Sequence, residues 1–187
     1  MNKGFTLLEM LMVLVIIGIL VWVSVPQYKI AVMSTRYNRG RQTAEAIYRA
    51  EQAYYMAHGK LTALLEQLNV SYPVKQAVYY TPEGESLTND APEDLLGVSY
   101  TLENGDELLM NTSGFLFVSY TPKGMHASYR LNYVPQAEVV TRECGVTSRG
   151  TDPIAYEEDA AVCLALGAKE TKGVGEDEIY GSYFSWE

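Results

Sequence analysis

A long apolar stretch runs from Phe5 to Val25 and reads FTLLEMLMVLVIIGILVWVSV. Seventeen of these 21 residues are apolar; the exceptions are Thr6, Glu9, Gly18 and Ser24. Since a helix rises 1.5 Å per residue, the stretch spans about 31 Å, close to the thickness of a bilayer core. A secretory signal peptide would have a shorter apolar region followed by a small-x-small cleavage site, and that pattern is absent. The sequence therefore predicts a membrane helix.

Glu9 is the one carboxylate inside this apolar stretch. A carboxylate at the bilayer centre costs a few kcal/mol, so such a residue is a candidate for a functional role. Glu9 also lies near the helix end, where its side chain can reach the headgroups. That position explains why Glu9 is tolerated, but not why it follows the run KGFTLL so closely.

The run Lys3–Glu9, KGFTLLE, resembles the class III signal of type IV pilins and of the pseudopilins of type II secretion. The resemblance continues through Gly18, Pro26 and Tyr28. It is strong over residues 1–60 and only architectural beyond them. It implies the pilin-type partners: prepilin peptidase, the membrane, the inner-membrane machinery of a pilus or secretion system, and other copies of the chain in a helical filament.

The resemblance also implies a processing step at the N-terminus. Prepilin peptidase is expected to remove the leader, residues 1–4, by cutting between Gly4 and Phe5, and the new Phe5 amine is expected to be N-methylated. In a filament, the ammonium on Phe5 can be neutralised by Glu9 of the next subunit. Such a pair is stronger where water is excluded, and either charge left alone would be costly, so the pair is expected to set the register of assembly.

Gly18 and Pro26 are two weak points of the long helix. Proline lacks an N–H and clashes with the preceding turn, so Pro26 is expected to kink or interrupt the helix. The resemblance suggests that the segment between the two residues loses helicity in the assembled filament. The alternative is that Gly18 only allows close packing and Pro26 only bends the stem.

Residues 26–59 are predicted to form an amphipathic stem helix that ends at Gly59, a natural C-cap. Residues at three- and four-residue steps form one stripe, which is expected to be the core face. They are Met33, Tyr37, Gly40, Ala44, Ile47, Ala50, Tyr54 and Ala57. The opposite, solvated side is expected to carry Arg36, Arg39, Arg41, Glu45, Arg49 and Glu51.

The net charge of −9 and the pI near 4.8 conceal a segregation of charge along the chain. Residues 27–60 hold six Lys or Arg against two Glu, a net +4, whereas residues 61–187 hold seven against twenty acidic residues, a net −13. The acidic excess argues against a nucleic-acid partner. The basic stem and the acidic head either attract each other between neighbouring subunits or are two solvated faces.

The orientation in the membrane is predicted from the leader rather than from the number of basic residues on each side of the apolar stretch. Four basic residues, Lys29, Arg36, Arg39 and Arg41, follow the apolar stretch and only Lys3 precedes it, which favours a cytoplasmic C-terminus. Long domains translocate with little regard to charge, however, and the leader implies an N-terminus in the cytoplasm, where its peptidase acts. We predict a single-pass inner-membrane protein with an exported head, later part of a surface pilus (fimbrium) or a periplasmic pseudopilus.

Residues 60–187 are predicted to form a globular head built on antiparallel strands. Residues 59–94 are expected to be a connection with a short helical turn at 62–68, because proline and glycine punctuate them. From about residue 97 the period changes to two, which predicts strands at 98–102, at 115–120 and around 128–133. Hairpin turns are expected at 104–106 and at Pro122-Lys123-Gly124. The fold class is α+β, and the resemblance implies the type IV pilin-like roll, with the sheet on the C-terminal half of the long helix.

Cys144 and Cys163 enclose eighteen residues, including 157–162, which could start a short helix. The two cysteines form either a disulfide or two buried free thiols, and export from the cytosol favours the disulfide. Closing such a loop stabilises by roughly 3 kcal/mol in the chain-entropy model. A C-terminal disulfide loop, here 144–163, also resembles many type IV pilins.

No motif for catalysis or for cofactor binding is recognisable in the sequence. It contains no Gly-rich phosphate loop, no Cys-x-x-Cys and no Ser/His/Asp spacing, and His58 and His126 are isolated. The acidic residues Asp152, Glu176, Asp177 and Glu178 could bind calcium, which major pseudopilins hold in their C-terminal loops. Their spacing shows no ordered ligand set, so a solvated acidic loop is expected. We predict no catalytic residue, no cofactor and no metal site.

The sequence thus predicts a structural filament subunit, a type IV pilin precursor, rather than an enzyme. The alternatives are a type II secretion pseudopilin, a minor or tip pilin with an adhesive role, a membrane-anchored binding module, and an exported enzyme with a membrane anchor. Adhesion, twitching motility, DNA uptake and secretion all use this architecture, and the sequence does not choose among them.

Overall fold

A computed structural model of the chain describes residues 6–88, 90–120, 128–137, 139–146, 153–170 and 183–186. Its longest element is the helix α1 (Leu7–His58), which contains 52 residues. Thr6 is the N-cap, and Gly59 is the C-cap with a φ of 70°, donating its N–H to the Tyr55 carbonyl. A left-handed C-cap favours glycine, which has no Cβ to clash. The predicted end of the stem at Gly59 is confirmed.

Pro26 lies inside α1, and the helix is continuous on both sides of it. The helix is therefore not interrupted at Pro26 in the single chain, and the expected kink remains a prediction. Proline removes one backbone hydrogen bond, and the many intact bonds on either side keep a helix of this length cooperative. Loss of helicity between Gly18 and Pro26 in a filament remains a prediction.

Nine strands of the described residues form one antiparallel sheet. They are β1 (Val74–Tyr80), β2 (Ser86–Leu87), β3 (Gly97–Leu102), β4 (Asp106–Asn111), β5 (Phe115–Tyr120), β6 (Ser128–Val134), β7 (Val139–Gly145), β8 (Lys169–Glu170) and β9 (Tyr183–Ser185). The strand order is β2-β1-β3-β4-β5-β6-β7-β9-β8, so β3 to β7 form a meander of sequential neighbours. A second helix, α2 (Pro153–Ala165), connects β7 to β8.

The strands predicted from the alternation of apolar and polar residues are confirmed. They correspond to β3, β5 and β6, and the first of these begins one residue earlier than predicted, at Gly97. Gly105, with a φ of 83°, forms the predicted turn between β3 and β4. The other predicted hairpin turn, Pro122-Lys123-Gly124, lies outside the described residues.

The segment 59–94 is more than a connection, and this prediction needs correction. It contains β1, which pairs with β3 from Val74 to Tyr80 with one irregularity between Val74 and Gln76, and the short strand β2. The predicted helical turn is present only as a single 3₁₀ turn, Leu65–Gln67. The sequence of β1, VKQAVYY, begins with three exposed residues and lacks a regular apolar alternation, so the signal for a half-buried strand is weak.

The second half of α1 packs on the sheet and forms the core with it. Met33, Tyr37, Gly40, Ala44 and Ile47 are buried, as the predicted stripe requires. They face the buried side chains of the central strands, among them Val98, Tyr100, Leu108, Met110, Tyr129 and Leu131. The α+β class and the packing of the long helix on an antiparallel sheet are therefore confirmed.

The C-terminal part of the predicted stripe is wrong at its end, although Ala50 and Tyr54 pack against the core as predicted. Ala57 is exposed, whereas Glu51, which was expected on the solvated side, is buried with 8% of its surface exposed. Glu45, also expected to be solvated, is only partly exposed because it contacts the sheet. The helical repeat of 3.6 residues shifts the buried stripe around the helix, and the end of α1 is covered by the segment after Gly59.

Cys144 at the end of β7 and Cys163 in α2 form a disulfide, with their Cα atoms 5.8 Å apart. Both residues are fully buried. The bond attaches α2 to the sheet, and the indole N–H of Trp186 donates a hydrogen bond to the Leu166 carbonyl just beyond α2. The predicted C-terminal disulfide is confirmed, and the alternative of two free thiols is excluded.

Candidate assembly site

The N-terminus of α1 is closed by a capping box between Thr6 and Glu9. The Thr6 hydroxyl accepts a hydrogen bond from the Glu9 backbone N–H at 3.2 Å, and Glu9 Oε2 accepts one from the Thr6 backbone N–H at 2.8 Å. The Thr6 hydroxyl also donates to Glu9 Oε2 at 2.9 Å. These bonds satisfy backbone N–H groups that the first turn of a helix leaves unpaired. Both contacts to the carboxylate use Oε2.

The first half of α1 is solvent-exposed in the single chain. Its large apolar side chains from Leu7 to Val25 are exposed by between 44% and 83% of their surface. It is the one helix of the described residues that is long and apolar enough to cross a membrane. Because a soluble chain rarely leaves so large an apolar surface in water, this half requires a bilayer or other protein around it.

Gly18 and Pro26 lie on this exposed half. A Cβ built on Gly18 would meet no atom within 4 Å, so nothing in the single chain requires a glycine there. The Ser24 hydroxyl donates a hydrogen bond to the Leu20 carbonyl at 2.6 Å, inside the turn before Pro26. A hydroxyl that bonds back to the i−4 carbonyl slightly weakens a helix. The segment from Gly18 to Pro26 therefore combines three features that lower helix stability.

The second half of α1 is fixed to the sheet by a charged cluster around Glu45. Glu45 Oε1 accepts hydrogen bonds from Arg142 Nε at 2.7 Å and from the Tyr129 hydroxyl at 2.8 Å, and its Oε2 accepts one from Arg142 Nη2 at 3.2 Å. Bidentate carboxylate–guanidinium pairs are among the stronger hydrogen bonds in proteins. Arg142 accordingly lowers the pKa of Glu45, and burial raises the pKa of the Tyr129 hydroxyl.

Two further ion pairs connect α1 to the head. Arg39 Nη2 lies 2.6 Å from Asp106 Oδ2 at the start of β4, and Lys29 Nζ lies 3.6 Å from Glu158 Oε1 in α2. Some basic residues of the stem thus pair with acidic residues of the head in the same chain. The two alternatives from the sequence, attraction between neighbouring subunits and two solvated faces, did not include such pairs. The Lys29–Glu158 pair is exposed and contributes little by itself, whereas Asp106 in the other pair is buried. Together with the Glu45 cluster they fix the orientation of α1 on the sheet.

Glu51, near the end of α1, is a buried carboxyl group at the interface between α1 and the head. Its Oε2 accepts a weak hydrogen bond, 3.4 Å, from the Thr62 backbone N–H. It lies beside a small cavity of about 20 Å³, lined also by Tyr48, Tyr133, Asn111 and other residues. Burial raises the pKa of Glu51 to about 7, and the bond from Thr62 opposes that shift. Near neutral pH the carboxyl group is therefore a mixture of its neutral and charged forms.

The structure separates the residues that the sequence singled out. Glu9, Gly18 and Pro26 lie along one exposed helix, with Glu9 and Pro26 about 26 Å apart along its axis. The cysteines lie in the head. Gly4 and Phe5, the predicted cleavage and methylation residues, lie outside the described residues, as do Asp152, Glu176, Asp177, Glu178 and His126. Among the residues that are described, no group of three or more His, Cys, Asp or Glu could hold a metal ion.

Sequence reasoning missed the residues that join α1 to the head. Glu45 and Arg142 are 97 positions apart, and Arg39 and Asp106 are 67 apart. Near Glu45 the sequence shows only that this glutamate lies among arginines on one side of the stem. That pattern does not identify the residue of the head with which Glu45 pairs.

Comparison with known proteins identifies the N-terminal segment. Residues 1–25 match the family model described as the prokaryotic N-terminal methylation motif. This motif is the class III signal of type IV pilins and pseudopilins. It supports a precursor of the type IV pilin or pseudopilin type, and it implies processing by prepilin peptidase and handling by a pilus-type assembly machinery. No curated protein and no solved structure matches the chain.

Proposed function

We propose that this chain is a structural subunit of a type IV pilus. Prepilin peptidase removes the leader, residues 1–4, between Gly4 and Phe5, and the Phe5 amine is N-methylated. The chain is stored as a single-pass inner-membrane protein with its N-terminus in the cytoplasm. Residues 5–25 then leave the bilayer and become the core of the filament, residues 26–59 connect that core to the head, and residues 60–187 cover the outside.

The observation that carries this proposal is the difference between the two halves of α1. The first half is apolar and fully uncovered, whereas the second half is fixed to the sheet by a packed core and by Glu45. A bundle of such first halves buries the same surface that the bilayer covers before assembly. Because each head is fixed to its own helix, the position of a helix in the bundle also sets the position of its head.

Glu9 is suited to specify the register of that bundle. Its Oε2 is engaged by Thr6, and Oε1 accepts no bond among the described contacts, so one carboxylate oxygen is available to a neighbouring chain. Cleavage after Gly4 creates an ammonium on Phe5, one residue before Thr6. In a dry filament core, an ammonium of one subunit and a carboxylate of the next are stable only when paired.

A pseudopilus of type II secretion is the second candidate, because the matched motif is common to pilins and pseudopilins. The disulfide between Cys144 and Cys163 favours the pilus, since C-terminal disulfide loops are a feature of many type IV pilins. The two candidates differ in where the filament ends. A pilus extends from the cell surface, whereas a pseudopilus stays in the periplasm.

The experiment that tests the proposal is mass spectrometry of filaments sheared from cells that express the chain. The expected result is a surface filament whose main component is this chain, beginning at a singly methylated Phe5 and containing the intact disulfide. A deletion strain complemented with Gly4→Glu should accumulate the full-length precursor in the membrane. Cleaved, methylated protein with filaments confined to the periplasm would favour the pseudopilus, and an unprocessed chain in the wild type would contradict both candidates.

A further inference from the structure

An open groove of about 500 Å³ runs along one side of α1 next to the head. Its lining residues are Asn38, Arg41, Gln42, Glu45, Ala46 and Arg49, and we refer to it as the arginine groove. Arg41 and Arg49 are exposed and form no ion pair among the described residues. Glu45 is already neutralised by Arg142, so the groove presents two available positive charges.

A second surface carries the opposite charge. Residues 82–96, here called the acidic loop, connect β1 to β3 and contain five acidic residues and no lysine or arginine. These are Glu83, Glu85, Asp90, Glu93 and Asp94, and all five are exposed. None of them has an ion-pair partner among the residues that the structure describes.

The two surfaces lie on opposite flanks of the molecule. The arginine groove adjoins the β7–β9 side, because Glu45 bonds to Arg142 in β7 and the Arg41 guanidinium lies 5.9 Å from the Trp186 ring. The acidic loop joins β1 to β3, at the other side of the sheet. From β1 to β7 there are five strand spacings, roughly 24 Å along the sheet. That separation is well beyond the screening length of about 8 Å at physiological salt, so the surfaces cannot neutralise each other within one chain.

We infer that the arginine groove of one copy of this chain receives the acidic loop of a second copy. Charge complementarity argues for this occupant: both surfaces are exposed and opposite in sign, and neither has an ion-pair partner among the residues described by the structure. A contact between two different patches on opposite flanks is heterologous, so each copy has one patch of each kind left over and the contact can propagate into an open helical array. The inference rests on the polymerisation proposed above and assigns to it a contact between the stem helix of one subunit and the head of the next.

Charge reversal in cells tests this contact. Arg41→Glu with Arg49→Glu, or Glu83→Lys with Glu85→Lys, should each lower the yield of sheared filaments by about tenfold or more, because attraction becomes repulsion at every contact. The two double substitutions combined in one chain should restore filaments, since every contact is again between opposite charges. Matched controls are Lys60→Glu with Lys75→Glu and Glu66→Lys with Glu103→Lys, four exposed residues outside both surfaces.

Cross-linking gives a second readout that does not require a filament. The described cysteines are both in the disulfide, so Arg49→Cys with Glu85→Cys introduces the reactive pair. Arginine and glutamate in contact hold their Cα atoms farther apart than a disulfide allows, so a short bismaleimide is applied to intact cells. A ladder of multimers is expected from the double variant, and at most dimers from either single variant.

The outcomes separate the contact from the proposed pilus. A ladder without filaments in the wild type would remove the pilus proposal and keep the contact. Wild-type filaments with no ladder would overturn the contact, and so would charge reversals that leave the filament yield unchanged or a combined variant that does not regain filaments. In each of those three cases the proposed pilus function would stand.

Discussion

The Glu45 carboxylate in α1 and the Arg142 guanidinium in β7 form a two-point hydrogen bond, at 2.7 and 3.2 Å, across the interface between helix and sheet. The Tyr129 hydroxyl donates to the same carboxylate from β6. Since the first half of α1 is uncovered, this cluster and the packed core below it transmit the position of the helix to the head. Its removal is expected to loosen the head from the helix.

Glu45→Ala should lower the free energy of unfolding of the head by about 2 kcal/mol, because the Arg142 guanidinium and the Tyr129 hydroxyl lose their common partner in a partly buried site. Arg49→Ala, at an exposed residue one turn further along the same helix, is the control and should change it by less than about 0.5 kcal/mol. The measurement is denaturant unfolding of the full chain in detergent, followed by tryptophan fluorescence. Equal effects of the two substitutions would contradict the role of Glu45.

The Glu45 pair should also be sensitive to acid. Arg142 lowers the pKa of Glu45 below its usual 4.5, so the stabilisation is present above the unfolded-state pKa and is lost as the pH falls through the folded value. The difference in unfolding free energy between wild type and Glu45→Gln should therefore shrink below about pH 4.5. A difference that stays constant from neutral pH to that range would show that the charge of Glu45 is not used.

Glu51 should give the opposite pH dependence. Burial raises its pKa from 4.5 to about 7, so the folded state retains the proton longer than the unfolded state. The free energy of unfolding should fall by up to about 3 kcal/mol as the pH rises through that interval, with the loss complete above about pH 7. Glu51→Gln, which keeps the shape and cannot ionise, should reduce this dependence and be more stable than the wild type in alkaline solution. A pH dependence as large in Glu51→Gln as in the wild type would contradict the assignment.

Tyr100 fixes the segment after α1 to the sheet. Its buried hydroxyl donates to the Ala63 carbonyl and accepts from the Leu65 N–H, both at 3.1 Å. Tyr100→Phe should cost about 1 to 3 kcal/mol because two buried backbone groups lose their partner. Tyr28→Phe, at an exposed residue, is the control and should be neutral. Hydrogen exchange of the Leu65 amide gives the local readout, and unchanged protection in Tyr100→Phe would contradict this role.

The disulfide should stabilise the head by roughly 3 kcal/mol, since it closes a loop with a sequence separation of 19 residues. Cys144→Ser with Cys163→Ser should lower the unfolding free energy by about that amount, and reduction of the wild type should have the same effect. Differential alkylation of purified protein, with and without reductant, measures the bond directly. Two alkylated thiols without reductant would contradict it.

Features with a local signal could be predicted from the sequence. The apolar stretch, the C-cap at Gly59 and the alternation over Phe115–Tyr120 each depend on residues within one element. The disulfide could be predicted because the chain has only two cysteines and an export signal.

Features set by distant partners could not be predicted. β1 is a strand because it pairs with β3, although its own residues alternate poorly. Glu51 is buried because the segment after Gly59 folds back over the end of α1, and Glu45 is held by a residue 97 positions away. The continuity of α1 through Pro26 likewise depends on the whole helix rather than on the proline alone.

The proposed pairing of Glu9 with the next subunit is tested most directly by the number of surface filaments per cell. Filaments are counted by electron microscopy in strains that express Glu9→Ala or Glu9→Gln in place of the wild type. Glutamine can still accept the hydrogen bond from the Thr6 N–H, so it retains the capping box and removes only the charge. Both variants are expected to reach the membrane in normal amounts, and neither is expected to form filaments. A wild-type number of filaments from either variant would contradict the proposed pairing.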